Sequence, residues 1–224
     1  MPMGCSRMGR LVTGTVLGML LGWGGVVQAA LITFNFEGNV NAVTGVIDSD
    51  FHVGDTFHGS YSFNSFTPDR DPSTAAGSYR LANASLMLGG KTYVMGGGLA
   101  GSIGIVMNDA VYNTQSYNVV SLLTGASVNG VPPEGFTLTV AGKNLFTSDA
   151  LPLTPPSLSN LSGNVMRFVM DGFVVGRDGS VTGELTSLTS GTLAPVPLPG
   201  AVLLFGTGLI SLGAFARFRQ TPQA

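Results

Sequence analysis

Beyond Cys5 the sequence contains no cysteine, and Cys5 lies ahead of the apolar run that opens the chain. Once that run is removed, no disulfide framework, thiolate metal site or cysteine nucleophile can be built. Histidine is almost as scarce, with only His52 and His58. Two imidazoles without a thiolate make a poor zinc site. A serine triad would need one of them beside a buried acid and an activated serine, and nothing in the spacing nominates such a trio. No G-x-S-x-G nucleophile elbow exists either, because Gly101-Ser102-Ile103-Gly104 has the wrong spacing. Charge is sparse, at 10% of residues, and basic clusters are missing. Arg7, Arg10, Arg217 and Arg219 lie in the terminal segments, which leaves the body six basic residues against twelve acidic ones. An acidic body with no grouped Lys and Arg does not neutralise phosphates, so nucleic acid is excluded as a partner.

What the chain has in place of charge is two apolar ends. Arg7 and Arg10 precede an uncharged run from Leu11 to Val27, and Ala29 and Ala30 follow. A basic start, a greasy middle and small exit residues predict a secretory signal peptide over residues 1–29. Val27 and Ala29 occupy the −3 and −1 places of a cut before Ala30. A retained N-terminal anchor is the competing reading, since the run approaches bilayer length.

At the other end, Val196-Pro197-Leu198-Pro199 is followed by an apolar stretch from Gly200 to Ala216, then Arg217 and Arg219. Seventeen residues span roughly 25 Å as a helix, the short limit for crossing a bilayer. No charge falls between Glu184 and Arg217, so a transmembrane helix is expected at about 200–216. The two arginines act as a stop-transfer signal that keeps the C-terminus cytoplasmic. Pro197 and Pro199 resist regular helix, so they mark an extended hinge at the outer membrane boundary. The stretch 188–195, uncharged and short of bulky groups, reads as a tether.

The body, residues 30–187, alternates apolar and polar residues with period two. Ile32, Phe34 and Phe36 share one face, as do Phe57, Tyr61 and Phe63, Phe136, Leu138 and Val140, and Met166, Phe168 and Met170. That pattern, rich in Val, Thr, Phe and Tyr, is the signature of half-buried strands. Turn signals at Val53-Gly54-Asp55, Gly89-Gly90, Val131-Pro132-Pro133 and Arg177-Asp178-Gly179 separate the runs. No window in the body carries a helical stripe. The expectation is an all-β antiparallel sandwich, jelly-roll-like, with residues 149–163 as an ordered loop whose leucines pack on a sheet edge.

Few motifs in the body suggest chemistry. Gly96, Gly98 and Gly101 satisfy G-x-G-x-x-G, but a strand-like run at Ser102–Val106 follows where a dinucleotide fold needs a helix. Asp48 and Asp50, and Asp69 and Asp71, place alternating carboxylates in loops, which is the arrangement calcium would take. Solvated turns explain them as well, and no other cofactor is suggested. Glycoside hydrolysis needs two carboxylates facing across a cleft, and the sequence selects no pair. Asn83-Ala84-Ser85 and Asn160-Leu161-Ser162 match the glycosylation sequon and carry little weight, since such triplets arise often by chance.

The tail resembles the PEP-CTERM sorting signal of Gram-negative bacteria, in the variant where V-P-L-P precedes an L-F-G-x-G-L-x-x-L core. The residues that carry the likeness are Val196, Pro197, Leu198 and Pro199, then Leu204, Phe205, Gly206, Gly208, Leu209 and Leu212, with Arg217 and Arg219 at the end. Leu198 stands where the name-giving form has glutamate, and two arginines replace a dense basic cluster. The resemblance implies recognition by exosortase, a membrane-embedded transpeptidase that cuts near the proline motif. It further implies an inner-membrane stage with the body in the periplasm, then delivery to the cell surface or the extracellular matrix, in association with exopolysaccharide and biofilm. The body more loosely resembles β-rich exported domains through Phe36-Glu37-Gly38-Asn39-Val40 and the Val53–Phe63 run, which confer no activity. The expectation is therefore a non-enzymatic surface protein, with Tyr61, Tyr79, Tyr93, Tyr112 and Tyr117 available to stack on sugars if exposed. The alternatives are a secreted carbohydrate-active hydrolase and a permanently anchored envelope protein.

Overall fold

The computed structural model describes residues 30–96, 101–110, 113–171 and 178–191. The period-two runs become antiparallel strands: β1 (Leu31–Gly45), β2 (Thr56–Asn64), β3 (Ala76–Arg80), β4 (Asn83–Leu88), β5 (Lys91–Met95), β6 (Gly101–Asp109), β7 (Thr114–Gly125), β8 (Pro133–Gly142), β9 (Leu161–Met170) and β10 (Gly179–Ser190). Among the described residues no helix is long and apolar enough to cross a membrane. The signal peptide and the transmembrane segment expected at about 200–216 lie outside the described residues.

The sheet corrects one expectation. The jelly-roll-like sandwich is not formed, because the last strand returns to the first. In space the strands follow β1-β2-β4-β5-β7-β8-β9-β10, and β10 then pairs with β1 from Phe34↔Ser190 to Gly45↔Gly179. The result is a closed eight-stranded barrel whose strands follow chain order around the wall, with β3 and β6 left out of it and the closing pair joining the last strand to the first. Alternation along a strand reports one buried face. It does not say whether that face meets a second sheet or the far wall of its own.

β3 and β6 form a flap on this barrel. β6 runs along the edge of β7 beyond the short β5 pairing, and β3 pairs with β6 from Ala76↔Val106 to Arg80↔Ser102. Leu81 and Ala82 switch partners at this point: the Leu81 amide donates to the Gly101 carbonyl, and the Ala82 amide to that of Ser62. The free edge of β3 is covered by the β2–β3 loop, whose Arg70 amide donates to the Ser78 carbonyl at 2.9 Å. A covered edge does not template pairing with another chain.

The inward positions of all strands fill the barrel. Phe34, Phe36, Phe57, Phe63, Phe136 and Phe168 are all buried, and Phe36 stacks on Phe136 at 5.7 Å. Two inward glycines, Gly38 on β1 and Gly183 on β10, leave room for the Phe57 ring, which lies where their side chains would begin. At Gly59 the Phe36 ring does the same. Outward positions such as Asn35, Glu37 and Asn39 on β1 and Thr56 and His58 on β2 are exposed and polar. This order, apolar within and polar without, is the reverse of a lipid-facing barrel. On β10 a register shift opposite Glu37 and Gly38 lets Leu185 and Leu188 both point inward, three residues apart.

Three tyrosines enter the core. The Tyr61 hydroxyl donates to that of Tyr117 at 3.1 Å. Burial raises the pKa of both well above the ordinary value, so both phenols stay neutral. The buried Tyr93 hydroxyl finds no partner among the described residues, and burial, then the Asp50 charge, pushes its pKa up to about 12.

These observations fix the expected outcome of four substitutions, each read by urea unfolding. Tyr61→Phe leaves the Tyr117 hydroxyl unbonded and costs about 1–3 kcal/mol, whereas the Tyr61→Phe/Tyr117→Phe pair costs less than the sum of its parts. Tyr93→Phe removes a hydroxyl that bonds to nothing, and its stability equals or exceeds the parent's. Gly38→Ala forces its methyl against the Phe57 ring and the Glu184 carbonyl, costing about 1–3 kcal/mol. An unchanged midpoint for Gly38→Ala would contradict the packing described.

Candidate functional site

Most residues singled out from the sequence tail lie outside the described residues: Val196, Pro197, Leu198 and Pro199, the apolar core from Leu204 to Leu212, and Arg217 and Arg219. Val27 and Ala29 lie outside as well. Ala30 is described. Its amide donates to the Ser65 hydroxyl at 3.0 Å, and its carbonyl accepts from the Ser65 amide at 2.9 Å. A cut before Ala30 would place the new α-amino group at that hydroxyl. At the other end the Gly191 amide donates to the Thr33 carbonyl at 2.7 Å, so the barrel's first and last residues share one rim. Gly101 opens β6, so a strand follows the glycine run, as the sequence indicated.

The two acidic pairs fall at opposite rims. β2 runs from one end of the barrel to the other, with Asp48 and Asp50 before it and Asp69 and Asp71 after it. They cannot share an ion. No group of three or more His, Cys, Asp or Glu among the described residues could hold a metal. Asp50 accepts from the Lys91 ammonium at 2.6 Å, and that bond chiefly holds its carboxyl below the usual range. Asp69 Oδ1 accepts from the amides of Asp71 and Ser78, at 2.9 and 2.8 Å, and Oδ2 from the Tyr79 hydroxyl at 3.2 Å. Burial alone would raise the Asp69 carboxyl, but these donors outweigh it and the net direction is down. A general acid for glycoside cleavage needs a shift in the other direction.

The condition attached to the tyrosines, that they be exposed, is not met among the described residues. Tyr61, Tyr79, Tyr93 and Tyr117 are all buried, so none offers a face to a sugar; Tyr112 lies outside the described residues. Tyr61, Tyr93 and Tyr117 stand at inward barrel positions, where the bulk of each ring fills the core, and Tyr79 is buried on the flap strand β3. Tyr79 ties two loops of one rim together, donating to Asp69 and to the Asp149 carbonyl at 2.9 Å, with its pKa pushed up to about 12 by burial first and Asp69 second. At the opposite rim the β1–β2 loop turns Ile47 and Phe51 into the barrel, and Phe51 meets Phe168 edge-on at 6.1 Å. Asn129 holds this cap through the Val46 carbonyl at 2.6 Å. In the 149–163 segment, Leu151, Leu158 and Leu161 pack against the core as expected, while Leu153 is 55% exposed.

Sequence reasoning missed a hollow on the surface of the described residues. Where β3 leaves β2 to join β6, the sheet forks, and the β2–β3 loop bridges the gap over a hollow of about 510 Å³. Asn64, Thr67, Pro68, Arg70 and Arg80 line it, with the buried Leu81. Neither guanidinium pairs with a carboxylate among the described residues. The flanking acids are committed elsewhere: Asp69 as above, and Asp71 to the Ser73 amide at 2.9 Å. Asn64 Oδ1 accepts from the Phe66 amide at 2.8 Å, leaving its Nδ2 donors uncommitted. Nine residues of sequence separate Arg70 from Arg80, and nothing in them hints that the two line one hollow. Only the turn that folds the loop back onto β3 brings them together.

No protein-family profile matches the chain, and no significant match was found among curated proteins or among solved structures.

Asp69 gives the acid dependence a sign. Its carboxyl is held down in the folded protein, so the stability it contributes is complete above the unfolded carboxylate value of 3.8 and is lost as pH falls through the lower folded value. Asp50 acts in the same direction. Thermal midpoints therefore hold down to about pH 5 and drop from there to about pH 2, and Asp69→Asn, which keeps the shape but cannot titrate, shrinks that drop. Identical pH profiles for parent and variant would show that the turn is not held by the charged form.

Proposed function

We propose that the protein is a non-enzymatic exported β-barrel, carried across the inner membrane by its signal peptide, held there by its tail, and passed by an exosortase-type transpeptidase to the cell surface or matrix, where it contacts exopolysaccharide. One observation carries the reading. The order V-P-L-P, seventeen uncharged residues and two arginines combines an extended hinge, a membrane stop and a topology signal in one short segment. The outward polar surface of the barrel and its rim-capping loops suit a body that lives in water outside the membrane.

The finer parts of this reading are separable. A permanently anchored envelope protein would use the same tail without the cut. The test is intact mass measurement of the mature protein from cells with and without the sorting enzyme. The expected species begins at Ala30, ends near Pro199 and leaves the inner membrane only when the enzyme is present. A mature protein that retains Ala224 in both strains would exclude sorting and leave the anchored reading. Deleting residues 196–224 is expected to release the barrel into the periplasm, and an unchanged destination would remove the tail from the account.

A further inference from the structure

The fork between β2 and β3 gathers three donor groups around one hollow and offers no carboxylate to quench them. Arg80 closes β3, held in register by Arg80↔Ser102, and the Arg70 amide donates a hydrogen bond to the Ser78 carbonyl of the same strand. The body around them carries twice as many acids as bases. Two uncompensated guanidinium groups on such a surface form a local exception. Guanidinium forks match planar carboxylates, with two parallel bonds each. The remaining lining is of a different kind: the amide of Asn64, the hydroxyl of Thr67, and the apolar Pro68 and Leu81. In the same loop Phe66 is 55% exposed, an aromatic face left in water. Carboxylate-binding forks, hydroxyl-binding amides and flat apolar contacts together are the needs of an acidic sugar. A volume near 510 Å³ holds one or two such rings.

The geometry points to this hollow as a binding site for uronic-acid residues of an anionic polysaccharide, with Arg70 and Arg80 receiving the carboxylate. The assignment rests on the polysaccharide contact proposed above for the source of its ligand. It moves that contact from tyrosine faces, which are buried, to a charged fork.

The full-length protein in detergent is titrated calorimetrically with oligogalacturonate, with its methyl ester, with sodium sulfate and with short-chain phosphatidylglycerol in the same micelles. Oligogalacturonate is expected to bind. Arg70→Gln and Arg80→Gln each weaken it by about tenfold or more, and methyl esterification does the same. Arg167→Gln, on the outward face of β9, leaves affinity unchanged. Equal binding by the parent and both fork variants would overturn the assignment, as would no binding by the parent. Competition by sulfate or phosphatidylglycerol as strong as by the oligosaccharide would also overturn it, in favour of a general anion or lipid contact. A negative result here leaves the sorting of the tail intact, since mature-end mass measurement reads that independently.

Discussion

Closure of the barrel depends on one ring. Phe57 stands on β2 and reaches across β1 to β10, into space that Gly38 and Gly183 leave empty. Those two glycines lie on the strands that join the end of the fold to its beginning. A side chain at either would push the ring away from the seam, and a smaller ring would leave a void in a place where voids cost stability. The rest of the interior, from the Phe36–Phe136 stack to the Tyr61–Tyr117 bond, is arranged around a cylinder whose circumference this fit sets.

The two rims then differ in kind. One is shut by side chains: Ile47 and Phe51 descend into the barrel, and Lys91 lies over the Phe51 ring while pairing with Asp50. The other carries Ala30 and Gly191, the first and last described residues of the barrel, with the long loop containing Asp149 and the fork with its arginines. Polar groups that could meet a partner are concentrated on the second rim because the sheet divides there. A closed barrel has no edge; a flap that leaves the barrel creates both an edge and a cleft beside it.

Much of this was legible in the residues. β1, β2, β8, β9 and β10 follow from their alternation, and the absence of a helical stripe matches the all-β result. β7 was harder to see. Val119 and Val120, then Leu122 and Leu123, put apolar residues on both faces, and Val120 and Leu122 stay about two-fifths exposed at 42% and 40%. Period two fails where the outward face is apolar too. Barrel against sandwich could not be decided, because the deciding contact joins Phe34 to Ser190, and no local pattern encodes a partner so distant. The exposure of the tyrosines was left open for a related reason: alternation tells which residues share a face, and the core claimed the aromatic face. The arginine fork depends on a loop folding back onto a strand edge, which no spacing rule describes.

The seam between the first and last strands has a consequence in time. β1 pairs with the nearby β2 along one edge, but its other edge stays open until β10 is present, so the ladder from Phe34 to Gly45 waits for residues Gly179 to Ser190. Until then, everything up to β9 forms at most an open, curling sheet that cannot lock. The order of strands along the sequence thus places the change from a loose sheet to a closed cylinder with the last of the described strands.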